Sequence, residues 1–85
     1  MKMYEKQGCK VIYYKRKNNS YDGNPKYYVI FETMDGEEIA GITATNAACG
    51  YSVSNYFSGK RLANIKYHIT KKGNVIFDYI LNYKE

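Results

Sequence analysis

Residues 65–82 read IKYHITKKGNVIFDYILN, and this stretch decides the predicted fold. Apolar side chains alternate with polar ones from Ile65 to Thr70, and a second alternating run starts at Val75. A period of two is typical of β-strands, and the Lys-Gly pair that ends at Gly73 predicts a tight turn between them. The stretch is therefore predicted to form a β-hairpin.

The tyrosines of this hairpin are predicted to pack rather than to bind a partner. Tyr67 alternates in phase with the apolar residues of the first strand, and Tyr79 does so in the second strand. Side chains two residues apart lie on the same face of a strand. Both residues are therefore expected on the packed face and are left out of the predicted binding surface.

Three further strands are predicted upstream of the hairpin. Residues 10–16 and 26–33 are rich in β-branched and aromatic side chains, which favour strands. Between them, residues 17–25 (KNNSYDGNP) predict a loop. An Asp-Gly pair at residues 35–36 predicts a turn into a third strand over residues 38–43.

One helix is predicted over residues 45–57. A threonine at its start can cap the N-terminus, and an apolar stripe follows at helical spacing. The stripe is formed by Cys49, Val53 and either Tyr56 or Phe57. The predicted fold is therefore an α+β fold, with residues 1–85 in a single small domain. Its order is β-β-β-α-β-β, with a mostly antiparallel sheet and one helix packed on that sheet.

The string GYSVSNYFSGKR, residues 50–61, resembles part of a helix-turn-helix module, which would imply DNA binding. Residues 53–61 resemble the second helix, and the Gly-Tyr-Ser that starts at Gly50 resembles the turn. In that module the first buried aliphatic residue stands a helical turn further from the glycine, whereas Val53 follows Gly50 by three residues. This departure favours a single helix that caps the sheet.

Tyrosine and basic residues dominate the composition. The 85 residues include 11 tyrosines, no tryptophan, 13 lysines or arginines and 8 acidic residues, which gives a net charge of +5. Four of the acidic residues fall within residues 32–38. The sequence thus predicts a basic surface with one acidic loop, a charge pattern that can steer and orient a polyanion.

These patterns predict a small basic protein that binds nucleic acid. Tyrosine rings would stack on bases or pack against sugars, while lysines and arginines would contact phosphates. Because neighbouring strand residues face opposite ways, only one of Tyr13 and Tyr14 can share a face with Tyr28. The predicted nucleic-acid-binding residues are Tyr13, Tyr14, Lys15, Arg16, Lys17, Lys26, Tyr28, Lys60, Arg61, Lys66, Lys71 and Lys72.

The alternative is a protein-binding or ligand-sequestering function. A compact inhibitor or accessory protein of a phage or mobile element would suit the Lys-, Asn-, Tyr- and Ile-rich composition. It would act on an acidic protein surface through a surface patch, or through an unpaired sheet edge that also permits a homodimer.

Neither catalysis nor a cofactor is expected. His68 is the one histidine, and it falls on the solvent-facing side of its predicted strand. It could serve as the general base of a metal-independent nuclease, but the sequence pairs no second acid–base group with it. Together with His68, Cys9 and Cys49 supply too few ligands for a metal site.

A cytoplasmic location without a membrane partner is predicted. Residues 1–8 contain no hydrophobic stretch of the kind that signal peptides carry, and no apolar run is long enough to span a bilayer. Two cysteines are too few for a disulfide framework, so both are expected to be reduced.

Overall fold

Five strands form a closed barrel in the computed structural model, which describes residues 2–18, 26–44, 56 and 61–83. The strands are β1 (Met3–Lys17), β2 (Lys26–Glu32), β3 (Glu38–Thr43), β4 (Ala63–Ile69) and β5 (Val75–Asn82). Their order around the barrel is β1-β2-β3-β5-β4, and β4 pairs with β1 to close it. The β3–β5 pairing is parallel, and the other four pairings are antiparallel.

The closed barrel corrects the predicted α+β fold. Each predicted strand overlaps an observed one, but the strands close on themselves instead of forming a sheet with a helix on one face. The described residues contain no helix, and thus none that is long and apolar enough to cross a membrane. Apart from Tyr56, the predicted helix over residues 45–57 lies outside the described residues, as does most of the segment that resembles a helix-turn-helix module.

The length of β1 is the physical reason for closure. Its 15 residues pair with β4 from Met3 to Cys9 and with β2 from Lys10 to Lys17. Its register shifts once within each of these two pairings, and Gly8 adopts a φ of 67° near the changeover. An extra residue in one strand bends it and increases its twist. One long, bent strand therefore joins two parts of the sheet that the alternation pattern presents as separate hairpins.

Aromatic rings fill the interior of the barrel. Phe31 and Phe77 are fully buried, and their ring centroids lie 5.1 Å apart in an edge-to-face arrangement. Tyr67 lies 6.2 Å from Phe77 and stacks on Tyr4, with ring centroids 5.5 Å apart. The prediction that Tyr67 packs in the core is therefore confirmed. Other buried apolar side chains are Cys9, Val11, Tyr27, Val29, Ile39, Tyr56, Ala63, Ile65 and Ile80.

A β-bulge in β5 changes which of its residues face this core. Tyr67 pairs with Phe77, but the residue before Tyr67 pairs with Tyr79, so Asp78 is an extra residue in the ladder. After Phe77, the next buried side chain of the strand is therefore Ile80. Tyr79 is 53% exposed, and its predicted place on the packed face is wrong. The prediction is wrong because it assumes that inward and outward side chains alternate without interruption along β5, and the bulge interrupts this alternation.

The β2–β3 and β4–β5 turns share one hydrogen-bond pattern. The amide of Thr33 donates to the carbonyl of Glu37, and the amide of Thr70 donates to the carbonyl of Asn74, both at 2.8 Å. Each threonine hydroxyl also accepts from the amide four residues on, at 3.1 Å. A glycine three residues after each threonine has φ near +85°, at 84° and 86°. The first turn carries acidic side chains, whereas the second carries two lysines.

Candidate nucleic-acid interface

A row of side chains crosses all five strands on the outer surface of the barrel. Lys15 pairs with Tyr28, and Tyr28 pairs with Ile42. Ile42 in turn pairs with Ile76, which pairs with His68. Residues that pair across strands point to the same face, and the neighbours of this row along the strands include the buried residues Tyr27, Val29, Thr43 and Phe77. We call these five residues the outer row: Lys15, Tyr28, Ile42, Ile76 and His68.

Two tyrosine rings meet at one end of the outer row. Tyr13 lies edge-on to Tyr28, with ring centroids 6.1 Å apart and an interplanar angle of 71°. Tyr13 is 49% exposed, and Tyr28 is partly exposed. Tyr14 pairs with the buried residue Val29 and so belongs to the opposite side of the sheet. Of the two adjacent tyrosines, Tyr13 is therefore the one that shares a face with Tyr28.

A groove of about 350 Å³ separates Tyr28 from the β4–β5 turn. Ile42 and Ile76 line it, and residues Thr70, Gly73 and Asn74 of the turn border it. The same turn carries Lys71 and Lys72, and both side chains are exposed. Tyr28 from the first hairpin and the turn that carries the two lysines thus border one groove, although the lysines themselves are not part of its lining.

Two more of the predicted lysines belong to this face. Lys17 pairs directly with Lys26, two positions along the strands from the pair Lys15 and Tyr28. Like charges on directly opposed residues are unfavourable, and an anion bound nearby would relieve the repulsion. This cross-strand pair therefore extends the basic part of the surface toward the end of β1.

The remaining predicted basic residues are not brought to the groove. The guanidinium of Arg16 lies 5.5 Å from the ring centroid of Tyr27, and its Nη1 donates to the Tyr27 hydroxyl at 3.3 Å. Lys66 lies 3.8 Å from a carboxylate oxygen of Glu5. Arg61 precedes β4, at the end of the last hairpin away from its turn. Lys60 lies outside the described residues.

A second pocket, of about 430 Å³, adjoins the groove because it is also lined by Ile42 and Ile76. Its polar rim includes Lys26, His68 and Asp78. Nδ1 of His68 lies 2.7 Å from Oδ2 of Asp78, and these side chains are 17% and 21% exposed. An ionised carboxylate only accepts hydrogen bonds, so Nδ1 of His68 donates to Oδ2 of Asp78.

Sequence reasoning missed this pair, although the hairpin contained a signal for it. A turn centred near Gly73 sets Ile69 opposite Val75 and therefore His68 opposite Ile76. Asp78 then lies diagonally across from His68, within reach on the same face. Alternation along each strand does not reveal this contact, because the two residues meet diagonally across the hairpin.

Two side chains of the core, Cys9 and Tyr67, have a pKa that burial raises. Burial raises the pKa of the Cys9 thiol, an effect that Lys6 partly offsets. Burial also raises the pKa of Tyr67, with smaller contributions from Glu37, Tyr4 and Cys9. Within the described part of the chain, no group of three or more His, Cys, Asp or Glu side chains is placed to hold a metal ion.

The predicted sheet-edge contact stays a prediction. β3 pairs with β5 only at Ile42 and Thr43, while it pairs with β2 from Glu38 to Ile42. Among the described strands, residues 38–40 therefore have a ladder partner on one side. A homodimer through a sheet edge would form along this short stretch.

Comparison with known proteins adds no assignment to this site. No family model matches the chain, and neither a curated protein nor a solved structure does. The outer row, its groove and the adjoining pocket are the observations from which a function can be argued.

Proposed function

We propose that this protein binds single-stranded nucleic acid across the outer row, without catalysing a reaction. Bases would stack on Tyr13 and Tyr28, and backbone phosphates would lie near Lys15, Lys71 and Lys72. The observation that carries the proposal is the exposed Tyr13–Tyr28 pair on one side of a groove whose other side is the turn with two lysines. Proteins that bind single strands combine aromatic stacking platforms with a positively charged groove.

A single strand fits this surface better than a duplex does. Bases in a duplex are stacked on one another, so their faces are not available to protein rings, whereas unpaired bases can be splayed onto aromatic side chains. The net charge of +5 adds a long-range attraction for any polyanion. The rings at Tyr13 and Tyr28 are therefore what favours the single strand over other nucleic acids.

The order of the strands supports the same proposal. Five strands ordered β1-β2-β3-β5-β4, closed through β1 and β4 and with a parallel β3–β5 contact, have the topology of the oligonucleotide/oligosaccharide-binding barrel. Ligands of such barrels lie on the face of strands 2 and 3, between the loops after strands 1 and 4. Here Tyr28 of β2 borders a groove that is also lined by β3 and by the turn after β4. One architecture hosts many functions, so this likeness supplements the argument from the side chains.

A cytoplasmic location belongs to the same proposal, because nucleic acid is accessible there. The proposed partner is a nucleic acid strand. An acidic protein surface is the competing partner, and it would use the same lysines without needing the exposed rings. The two partners are therefore separable by experiment.

The test is fluorescence anisotropy with labelled single-stranded DNA and RNA of about a dozen nucleotides, a length in the range of site sizes for such barrels. We expect binding that weakens steeply between about 50 and 200 mM salt, with a slope that reports the number of neutralised phosphates. Unlabelled poly-glutamate should compete poorly. Absence of binding at low salt, or equal competition by poly-glutamate, would overturn the proposal.

A matched pair of double variants separates the groove from overall charge. Lys71→Glu with Lys72→Glu reverses the charge of the turn that borders the groove. Arg61→Glu with Lys66→Glu makes the same change in net charge away from the groove. We expect the first variant to weaken binding at least about tenfold more than the second, because it places repulsive charge beside the bound phosphates. Equal losses would show that the groove has no special role. Melting temperatures of both variants check that each is folded.

A further inference from the structure

The pocket beside His68 continues the proposed binding groove. The two cavities share Ile42 and Ile76, so a strand that crosses the groove from Tyr28 leads directly into the pocket. The pocket volume of about 430 Å³ lies within the usual range for small-molecule sites. Space for one further base therefore exists next to the outer row.

The walls of this pocket have an apolar part and two distinct polar parts. Ile42, Ala44 and Ile76 offer apolar surface on which the flat face of a base can lie. Lys26, from β2, is the cation of the rim. Asp78 and His68, from β5 and β4, are held together by their 2.7 Å hydrogen bond. A bound nucleotide would place its phosphate toward one polar part and its base edge toward the other.

The charges of Lys26 and Asp78 determine how a nucleotide would be oriented in the pocket. The Asp78 carboxylate repels phosphate, so the backbone of a bound strand lies toward Lys26 and the base edge lies toward Asp78. Oδ2 of Asp78 accepts from His68, and within the described part of the chain Oδ1 has no hydrogen-bond partner. The His68–Asp78 rim therefore favours a base edge that presents donors.

We infer that this pocket is a base-selective subsite that prefers bases with an exocyclic amino group over thymine and uracil. The inference rests on the proposed function, since it concerns one nucleotide of the bound strand. Asp78 would accept a hydrogen bond from the amino group, as carboxylates do from cytosine N4. Thymine and uracil carry a carbonyl oxygen at that position, and a carbonyl facing the carboxylate is repelled. His68 orients the carboxylate and acts as a positioning residue.

Deoxycytidine and deoxythymidine homo-oligomers of equal length test the inference by anisotropy at neutral pH. Both are pyrimidines with the same backbone charge, and at position 4 one has an amino group where the other has a carbonyl. We expect the wild-type protein to bind the cytidine oligomer about five- to tenfold more tightly. Equal, measurable affinities for the two oligomers would overturn the base preference and leave the proposed function standing. Failure to bind either oligomer would overturn both.

Variants then locate the preference in the pocket. Asp78→Asn is nearly isosteric and replaces an acceptor-only group with an amide, so the ratio of the two dissociation constants should fall toward one. His68→Ala should reduce the ratio as well, because the carboxylate loses its orientation. Tyr79→Ala is the matched control on β5, since Tyr79 is outside the lining of both cavities, and it should leave the ratio unchanged. A preference that survives both pocket variants would refute the assignment to Asp78.

Discussion

Asp78 reaches within 2.7 Å of His68 at a point where β5 carries one extra residue. In an unbroken ladder Asp78 would pair with Lys66, but the bulge gives that partner to Tyr79. The bulge thus leaves Asp78 without a paired residue in the β4–β5 ladder, and its side chain lines the pocket with His68. Bulges are over-represented next to functional sites because they re-aim a side chain. Here Asp78 is the acidic residue among those that line the pocket.

The bulge also makes a prediction about stability. Ile80→Ala should lower the free energy of unfolding by about 2–5 kcal/mol, because Ile80 is buried in the core. Leu81→Ala, the matched control, should change it by less than about 0.5 kcal/mol, because Leu81 is 52% exposed. Urea denaturation followed by circular dichroism measures both values. A larger loss for Leu81→Ala would mean that the strand keeps an unbroken period of two.

Stacking on the outer face predicts a loss of affinity on removal of a ring. Tyr28→Ala should weaken single-strand binding by about 1–3 kcal/mol, the range measured for base–aromatic stacking. Tyr28→Phe should retain most of the affinity, because the ring and not the hydroxyl does the stacking. Tyr79→Ala removes a more exposed ring elsewhere on the barrel and serves as the control. Anisotropy titrations check all three variants, and unchanged affinity in Tyr28→Ala would contradict the proposed site.

The parallel contact between β3 and β5 predicts that Gly41 cannot be replaced. A Cβ atom at Gly41 would lie 2.6 Å from the carbonyl oxygen of Val75, which is backbone and cannot move aside alone. Gly41→Ala should therefore destabilise the protein by about 1–3 kcal/mol. Gly73→Asn is the comparison, since nothing lies near a Cβ there and asparagine tolerates the positive φ. Thermal melts that rank Gly73→Asn as the more damaging change would refute the close β3–β5 approach.

The buried Cys9 thiol and Tyr67 phenol predict that the protein loses stability at alkaline pH. Burial raises the pKa of Cys9 in the folded protein, so the folded state retains its proton at a pH where the unfolded state has lost it. The unfolded state then binds fewer protons, and the free energy of unfolding falls as pH rises through and above the ordinary thiol range. The contribution of the protonated Cys9 thiol to stability is complete below the pKa of the unfolded state. It is lost as the pH rises through the pKa of the folded state.

The measurement is a series of urea melts of the wild type and Cys9→Ala between about pH 8 and 10, which spans the ordinary thiol pKa. Cys9→Ala will be less stable at every pH because it leaves a cavity, so the slopes are compared. We expect a shallower fall with pH in the variant. Tyr67→Phe should flatten the curve at higher pH for the same reason, since burial raises the pKa of Tyr67. Parallel curves for wild type and both variants would contradict this origin of the pH dependence.

Many residues of the proposed binding face could be predicted from the sequence, but which of them lie together on the barrel could not. Alternation predicted that one of Tyr13 and Tyr14 shares a face with Tyr28, and the ring contact identifies Tyr13. Clustering of charge did not distinguish Lys71 and Lys72, whose turn borders the groove, from Arg61, which lies at the other end of the hairpin. Because the strands do not pair in chain order, residues that are close in the sequence can lie far apart on the barrel surface.

Local residue patterns by themselves located part of every strand of this protein, but they missed residues 3–9 of β1. The alternation of apolar side chains and the Gly-containing turns mark all five strands, because both act over a few neighbouring residues. Only the tertiary structure decided that the strands close into a barrel. Closure pairs residue 3 with residue 68, and no local preference encodes a register between such distant positions. It also decided that β5 slips at Asp78, because keeping Phe77 and Ile80 both inside the barrel requires one extra residue between them.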